Sequence, residues 1–465
     1  MPEILYYAVF RASVEIFMGA PRVSVKSFSD FFIRLIAVVN FALIWNAPTA
    51  FAQESPFNIA EPGDTGFVSI PGSTPEDFDN PYGPQSDDEP ASVAPRSASL
   101  SDLDSIVTQT LHQYYVPGGS LAVAHNGKLV YAKGFGVANL RTQEPVTPST
   151  LFNLASCTKA VSAFAVIRLV ESGKLGLDDT MYNVIGRPNL VRGMQADPRV
   201  AQITVRQLLH HSAGWNDDSA YIKAGNEIMR LAPNGLPYKE AVRVLLATPL
   251  DYAPGTQAKY ANGDWNLIKY IIECASGRSY RDYLQEQLNS IGIHDMCEES
   301  RGVIRGQASR YGGFPPRLIP GGQRTVPLMP DFGNWMASSV DMVKFLTAID
   351  GTRMQGISFA SFQQLIAPLP PPMKDNPNGS HFGLGLDTVR MTAEGVTFSK
   401  NGGKPGVHCQ IIHLPNNTDF CFMLNGGSSS DGSTVNPLTT SIKAIRQCLD
   451  NIREWPTTDL FSNYQ

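Results

Sequence analysis

Several features that define common protein classes are scarce or missing in this chain. Six cysteines are spread over 465 residues, none before Cys157. That is too few for a disulfide scaffold, and it excludes a lipid-modified cysteine near the start. Charged residues make up only 17% of the chain, with a net charge of −5, so no basic stripe offers itself to nucleic acid. No apolar run reaches the roughly 20 residues of a comfortable membrane span. There is no G-x-S-x-G elbow, which argues against an α/β-hydrolase. The pairs His210-His211 and Asp217-Asp218 lack H-E-x-x-H or comparable spacing, so no metal is expected. In "GGKPG" the lysine, Lys404, is followed by Pro405 rather than by a Ser or Thr opening a helix, which excludes a phosphate loop. No cofactor is implied.

The N-terminal ninety-odd residues have a character of their own. Arg22, Lys26 and Arg34 precede the apolar run Leu35–Trp45, which leads into "APTAFA". A basic region, a short apolar core and an A-x-A site ending at Ala52 predict a signal peptide over residues 1–52. The expected location is secreted or periplasmic, with an uncleaved N-terminal anchor as the lesser alternative and no stable membrane insertion after cleavage. Residues 53–98 are rich in Pro, Ser and Gly and carry nine acidic side chains against the single Arg96. They cannot bury enough apolar area to offset their ordering entropy, which predicts a disordered linker.

From residue 99 to 465 the pattern is that of a folded domain. Behind a Ser/Asp start, "SLSDLDSIVTQTLHQYY" has helical periodicity. "GGSLAVAHNGKLVYAKGFGVAN" reads as two strands joined at Asn126-Gly127, a strong hairpin signal. Residues from about 176 to 370 are mostly helical segments broken by Gly and Pro. "VTFSKNG", "GVHCQIIHL" and "DFCFMLNGG" then return to strands, and "PLTTSIKAIRQCLDNI" closes the chain as a helix. The expectation is an α/β fold of the α+β kind. One antiparallel sheet forms from the two ends of the chain, terminal helices flank it, and a mostly helical lobe is inserted, with a cleft between lobes. Cys409 and Cys421 flank the turn "LPNNTD" and are the expected disulfide partners; Cys157 is expected to be free.

The stretch "LFNLASCTKAVSAFAVIRLVESGKL" places Lys159 three residues after Ser156. Residues i and i+3 share a helix face, so the lysine amine can reach the serine hydroxyl. Burial lowers a lysine's pKa by penalising the ammonium, and a neutral lysine can take the serine proton. A helix N-terminus at Ser156 adds N–H groups and the positive dipole end for an oxyanion. Spacing alone is weak, since a capping serine followed by a surface lysine reads the same way. Two further elements add weight. Tyr260 and Asn262 stand at Y-x-N spacing before a helix, where a phenol can relay protons and an amide can donate to a substrate carbonyl. Lys400-Asn401-Gly402 ends a strand before a Gly-rich turn, where the N–H of Gly403 can complete an oxyanion hole with that of Ser156.

In this order, the three motifs resemble those of the serine β-lactamase and penicillin-binding superfamily, specifically the class C β-lactamase-like branch with its D-alanyl-D-alanine carboxypeptidase and esterase members. "TVRQLLHHSAGW" and "NWMASSVDMVKFL" are similar to further segments of that branch, and the similarity runs from about Leu100 to Leu449. The resemblance implies a β-lactamase/transpeptidase-like fold. It makes Ser156 the acylated nucleophile, Lys159 and Tyr260 the proton-transfer pair, with either as base, and Asn262 a substrate contact. Lys400, Asn401, Gly402 and Gly403 would form the substrate-binding strand. The third motif departs from K-T-G at Asn401 and from the esterase-type H-x-G at Lys400. Lys400 facing the cleft would favour substrates carrying a carboxylate. The expected function is a serine hydrolase acting on small ester, amide or peptide substrates. A β-lactamase or carboxypeptidase is the alternative enzyme, and a catalytically silent binding or assembly protein the alternative from another class.

Overall fold

The computed structural model describes residues 98–464 apart from 191–192, 218, 220–221, 233–235, 300–305, 320–333, 352–354 and 428–435. The expected signal peptide and all but the last residue of the expected linker lie outside the described residues.

Helix α1 (Asp102–Gln113) leads into strands β1 (Gly118–His125) and β2 (Lys128–Asn139), then β3 (Glu144–Pro145) and β4 (Phe152–Asn153). Six helices follow: α2 (Thr158–Glu171), α3 (Met181–Ile185), α4 (Val205–Leu209), α5 (Ile222–Leu231), α6 (Tyr238–Leu246) and α7 (Gly263–Ser276). Helix α8 (Tyr280–Ser290) comes next, then short strands β5 (Cys297–Glu298), β6 (Arg310–Gly312), β7 (Arg317–Ile319) and β8 (Trp335–Ala337). Helices α9 (Ser339–Ile349) and α10 (Phe359–Leu365) precede β9 (Ser380–Gly383), β10 (Leu386–Thr392), β11 (Gly395–Lys404), β12 (Val407–Leu414) and β13 (Thr418–Leu424), and α11 (Leu438–Asp450) ends the series.

The main sheet has eight antiparallel strands in the order β3-β2-β1-β13-β12-β11-β10-β9, so the first and last strands of the domain meet at its centre, as the two-ended pattern predicted. Asn126 and Gly127 turn the first hairpin with φ of +49° and +74°, the pair of positive angles that a tight two-residue turn demands. Period-two alternation sorts the two faces. Leu121, Val123, Phe420, Phe422 and Leu424 pack with Leu103 and Val107 of α1 and with Ile442, Ile445 and Leu449 of α11. Each such side chain contributes about 1.5–3 kcal/mol by leaving water. The intervening Ala122, Ala124, Cys421 and Met423 face the other core, with α2 and α9. Helix α2 is buried on nearly every side, the state expected of a helix that is apolar all round.

One expectation is corrected. Cys409 and Cys421 are free thiols, as is Cys157: the two strands do form a hairpin, but Cys409 lies opposite Met423 and Cys421 opposite Ile411, so the cysteines are diagonal rather than facing. The stretch from 176 to 370 is mostly helical, running from α3 to α10, and it also supplies β5 and β8, which extend a small sheet from β4, and α9, which packs on β1 and β13. Strands β9 and β10 were not anticipated, because the glycines of "HFGLGLD" mask their alternation.

Candidate active site

Ser156 occupies a 3-10 turn, Ala155–Cys157, immediately before α2. Its hydroxyl is the convergence point of the first two motifs: Lys159 Nζ lies 3.0 Å from Ser156 Oγ, and the Tyr260 hydroxyl donates to the same oxygen at 2.8 Å. Lys159 is 1% exposed. Burial, then the nearby charge of Lys400, brings its pKa down to about 7, against the opposing carboxylates of Asp217 and Asp387. Near neutrality a substantial fraction of Lys159 is therefore free amine.

Asn262 does more to hold Lys159 than the motif alone suggested. Its Oδ1 accepts from Lys159 at 2.7 Å. Asp217 fixes that orientation by accepting from both the backbone N–H (2.7 Å) and the Nδ2 group (2.5 Å) of Asn262. Neither bond uses the second amide proton of Asn262.

Tyr260 is sandwiched. The amino groups of Lys159 and Lys400 stand 4.9 and 5.0 Å from its ring centre, and His211 stacks on it at 4.6 Å. His211 Nδ1 accepts the N–H of Ala261 at 3.1 Å, which puts any ring proton of the neutral form on Nε2. Burial, then the charges of Lys400 and Lys159, holds the His211 pKa well below its ordinary value, so this ring is a neutral plate behind the phenol. His211, for which the sequence offered no role beyond the exclusion of a metal, is thus part of the site's wall.

Lys400 departs most from expectation. It is 0% exposed and ion-paired with Asp387 of β10, whose other oxygen accepts the N–H of Asn401 at 2.9 Å. Its charge faces Asp387 and Tyr260, and it offers no open ammonium to a substrate carboxylate. Asp387 was not singled out in the sequence, although a carboxylate inside the apolar run "FGLGLDTV" is a signal that something buried must balance it.

The Asn401 bond also orients the rest of the strand. Its N–H points away from β12, and with period-two alternation the N–H of Gly403 points to the same side, beyond the end of β10. Gly402 makes the approach possible: a Cβ there would stand 2.1 Å from the carbonyl oxygen of Leu154. Behind the contact, the Cys157 thiol donates to the Lys400 carbonyl at 3.3 Å. The Asn401 side chain points to the opposite face from Lys400, and its Oδ1 is buried without a protein partner. A cavity of about 290 Å³ is lined in part by Gln257, Ala258 and Phe382 and by no residue of the three motifs; its link to the site is Phe382, 5.4 Å from His211. No helix among the described residues is long and apolar enough to cross a membrane.

Comparison with known proteins gives the fold and the family. Protein flp of Staphylococcus aureus (strain MW2) is 27% identical over 189 residues, 40% of this chain and 36% of flp, so the chain matches only about a third of that relative's length. The octameric penicillin-binding protein homologue from Pyrococcus abyssi superposes with a TM-score of 0.60 at 24% identity, covering 77% of this chain and 79% of that one. The D-amino acid amidase from Ochrobactrum anthropi SV3 does so with a TM-score of 0.60 at 20% identity, covering 76% and 100%. These structural likenesses establish the fold, and the Beta-lactamase family model matches residues 103–435, a span that includes all three motifs: the chain belongs to the Beta-lactamase family.

Proposed function

We propose that the chain is a serine hydrolase that acts through an acyl-enzyme at Ser156 on small ester, amide or peptide-like substrates. The carrying observation is that one hydroxyl, Ser156 Oγ, meets both Lys159 Nζ at 3.0 Å and the Tyr260 hydroxyl at 2.8 Å. The amidase among its structural neighbours supports an acyl-transfer reading.

In this reading the free amine of Lys159 takes the Ser156 proton, directly or through Tyr260, as Oγ attacks the substrate carbonyl. The resulting oxyanion is met by the N–H groups of Ser156 and Gly403, each such donor being worth about 2.7–4 kcal/mol in the transition state. Collapse breaks the bond to the leaving group, which receives the proton through Tyr260. Water then attacks the acyl carbonyl, gives its proton to the same pair, and releases the acid with Ser156 restored. His211 keeps Tyr260 in place, while Asp217 keeps Asn262 turned toward Lys159. Export belongs to the same proposal and rests on the N-terminal pattern, which predicts a mature N-terminus at Gln53.

The test is covalent labelling by a fluorophosphonate or penicillin-type probe, followed by peptide mass spectrometry. An adduct on Ser156 is the expected result; an adduct elsewhere, or none, defeats the proposal and favours a silent binding protein. Parallel kinetics with p-nitrophenyl esters, nitrocefin and D-Ala-D-Ala peptides assign the substrate class.

A further inference from the structure

Glu299 lies outside the constellation described above, yet its carboxylate joins the two segments that carry the proposed oxyanion donors. Its side chain is only 6% exposed. Asn153 of β4 donates to Glu299 Oε2 at 3.0 Å, and the Oδ1 of the same asparagine accepts the N–H of Ala155 at 2.8 Å. That second bond pins a non-glycine residue with φ of +44°, a conformation costing on the order of 1–2 kcal/mol, directly before Ser156. On the other side Lys404, the residue after Gly403, brings its ammonium within 3.6 Å of the same Oε2. Asn334 accepts from Lys404 at 3.4 Å and receives the Glu299 backbone N–H on its carbonyl at 2.6 Å. Oε1 is held by Gln307 at 3.4 Å and Arg310 at 3.8 Å.

We infer that Glu299 is a positioning residue that sets the separation of the Ser156 and Gly403 amides. The inference rests on the acyl-enzyme reading above. One carboxylate oxygen is shared between a chain leading to the nucleophile turn and the side chain that follows Gly403, so movement of either segment strains the other. An oxyanion donor works only about 2.7–3.1 Å from the position the oxygen takes in the transition state, and hydrogen bonds weaken steeply as distance and angle drift. A ground-state carbonyl carries less charge on that oxygen than the oxyanion does, so binding depends on that spacing less than the transition state does. Loss of Glu299 should therefore act on the transition state and spare binding.

The experiment compares Glu299→Ala, Asn153→Ala and Glu299→Gln in the full chain, with active sites titrated by a fluorophosphonate and assays run below each variant's melting transition. Glu299→Ala is expected to lower kcat per titrated site by about 10- to 100-fold, short of the 10²–10³ lost when a donor is deleted outright, with KM within about threefold. Affinity for an arylboronic acid, which forms a tetrahedral adduct on the nucleophile, should fall by the same factor. Asn153→Ala should show the same split, and it carries the test alone where Glu299→Ala does not fold. Glu299→Gln still accepts from Asn153 and should recover most of the loss. A merely structural role would reduce the titrated fraction at unchanged kcat. Folded variants with unchanged kcat and boronate affinity overturn the inference while leaving the acyl-enzyme reading intact. A wild-type protein that forms no Ser156 adduct overturns that reading instead.

Discussion

Replacing Asp387 by asparagine strips the counter-charge from an ammonium that is 0% exposed, and the structure says how large the damage should be. Removing one partner of a buried ion pair costs about 3–5 kcal/mol, because the remaining charge is left without compensation in a poorly solvated site. Asparagine can still accept from the Asn401 N–H, so the loss falls on the Lys400 contact. For a domain of this size each kcal/mol moves the melting point by about 2–4 °C or somewhat less, which puts Asp387→Asn about 10 °C below wild type by calorimetry. The double variant Lys400→Met/Asp387→Asn removes both charges while keeping an acceptor for the Asn401 N–H, so no uncompensated buried charge is left, and it should melt clearly above Asp387→Asn and close to wild type. Its activity should stay low, at least about tenfold down in kcat/KM toward a p-nitrophenyl ester, since the ammonium flanking Tyr260 and depressing the Lys159 pKa is gone and proton transfer is worth about 10²–10⁴ in rate. A double variant as unstable as Asp387→Asn, or one with wild-type kcat/KM, would refute the reasoning.

The pH profile of kcat/KM should rise through about 7, the value to which burial and Lys400 bring Lys159, because the protonated amine cannot accept from Ser156; a flat profile from pH 6 to 8 would remove Lys159 from the base role. Ser156→Ala and Lys159→Ala should each abolish most activity and the double variant little more, as befits groups acting as a unit. Gly402→Ala should block probe labelling of Ser156, since its Cβ would sit 2.1 Å from the Leu154 carbonyl oxygen, whereas retained labelling would show that the strand can retreat. Stability should fall with rising pH through the His413 transition. Burial lowers that pKa, but the charge and hydrogen bond of Asp419, with Asp350, raise it overall. The stabilisation is thus fully present below the unfolded value near 6.5 and is lost as pH climbs through the higher folded value; urea melts of wild type and His413→Gln across pH 6–9 measure it.

Much of the candidate site's layout could be read from sequence because its groupings are local. Ser156 and Lys159 are joined by one helical turn, Tyr260 and Asn262 by one residue, and Lys400 to Gly403 by a continuous strand, so residue type and spacing carry the information. The fold was legible for the same reason: the central strands are short, largely apolar runs buried on both faces, and Asn126-Gly127 marks its own turn. What escaped was the pairing of shielded carboxylates with partners far along the chain. Asp217 reaches Asn262 over 45 positions and Glu299 reaches Asn153 over 146. Nothing in the local pattern of either carboxylate announces its partner.

The distinction changes the chemistry assigned to Lys400. Read alone, a lysine at the end of the third-motif strand suggests an anchor for a substrate carboxylate. Read with Asp387, which lies only 13 positions earlier but on the neighbouring strand, it is a compensated charge whose field is spent on Tyr260, His211 and Lys159. A buried pair has little long-range field to attract an anion, so a matched acid and amide substrate should show no preference that Lys400→Met removes at high or low salt. A carboxylate preference lost specifically in that variant would mean that the pair opens when substrate binds. Charge selectivity, where the cleft has any, must then come from groups outside the three motifs.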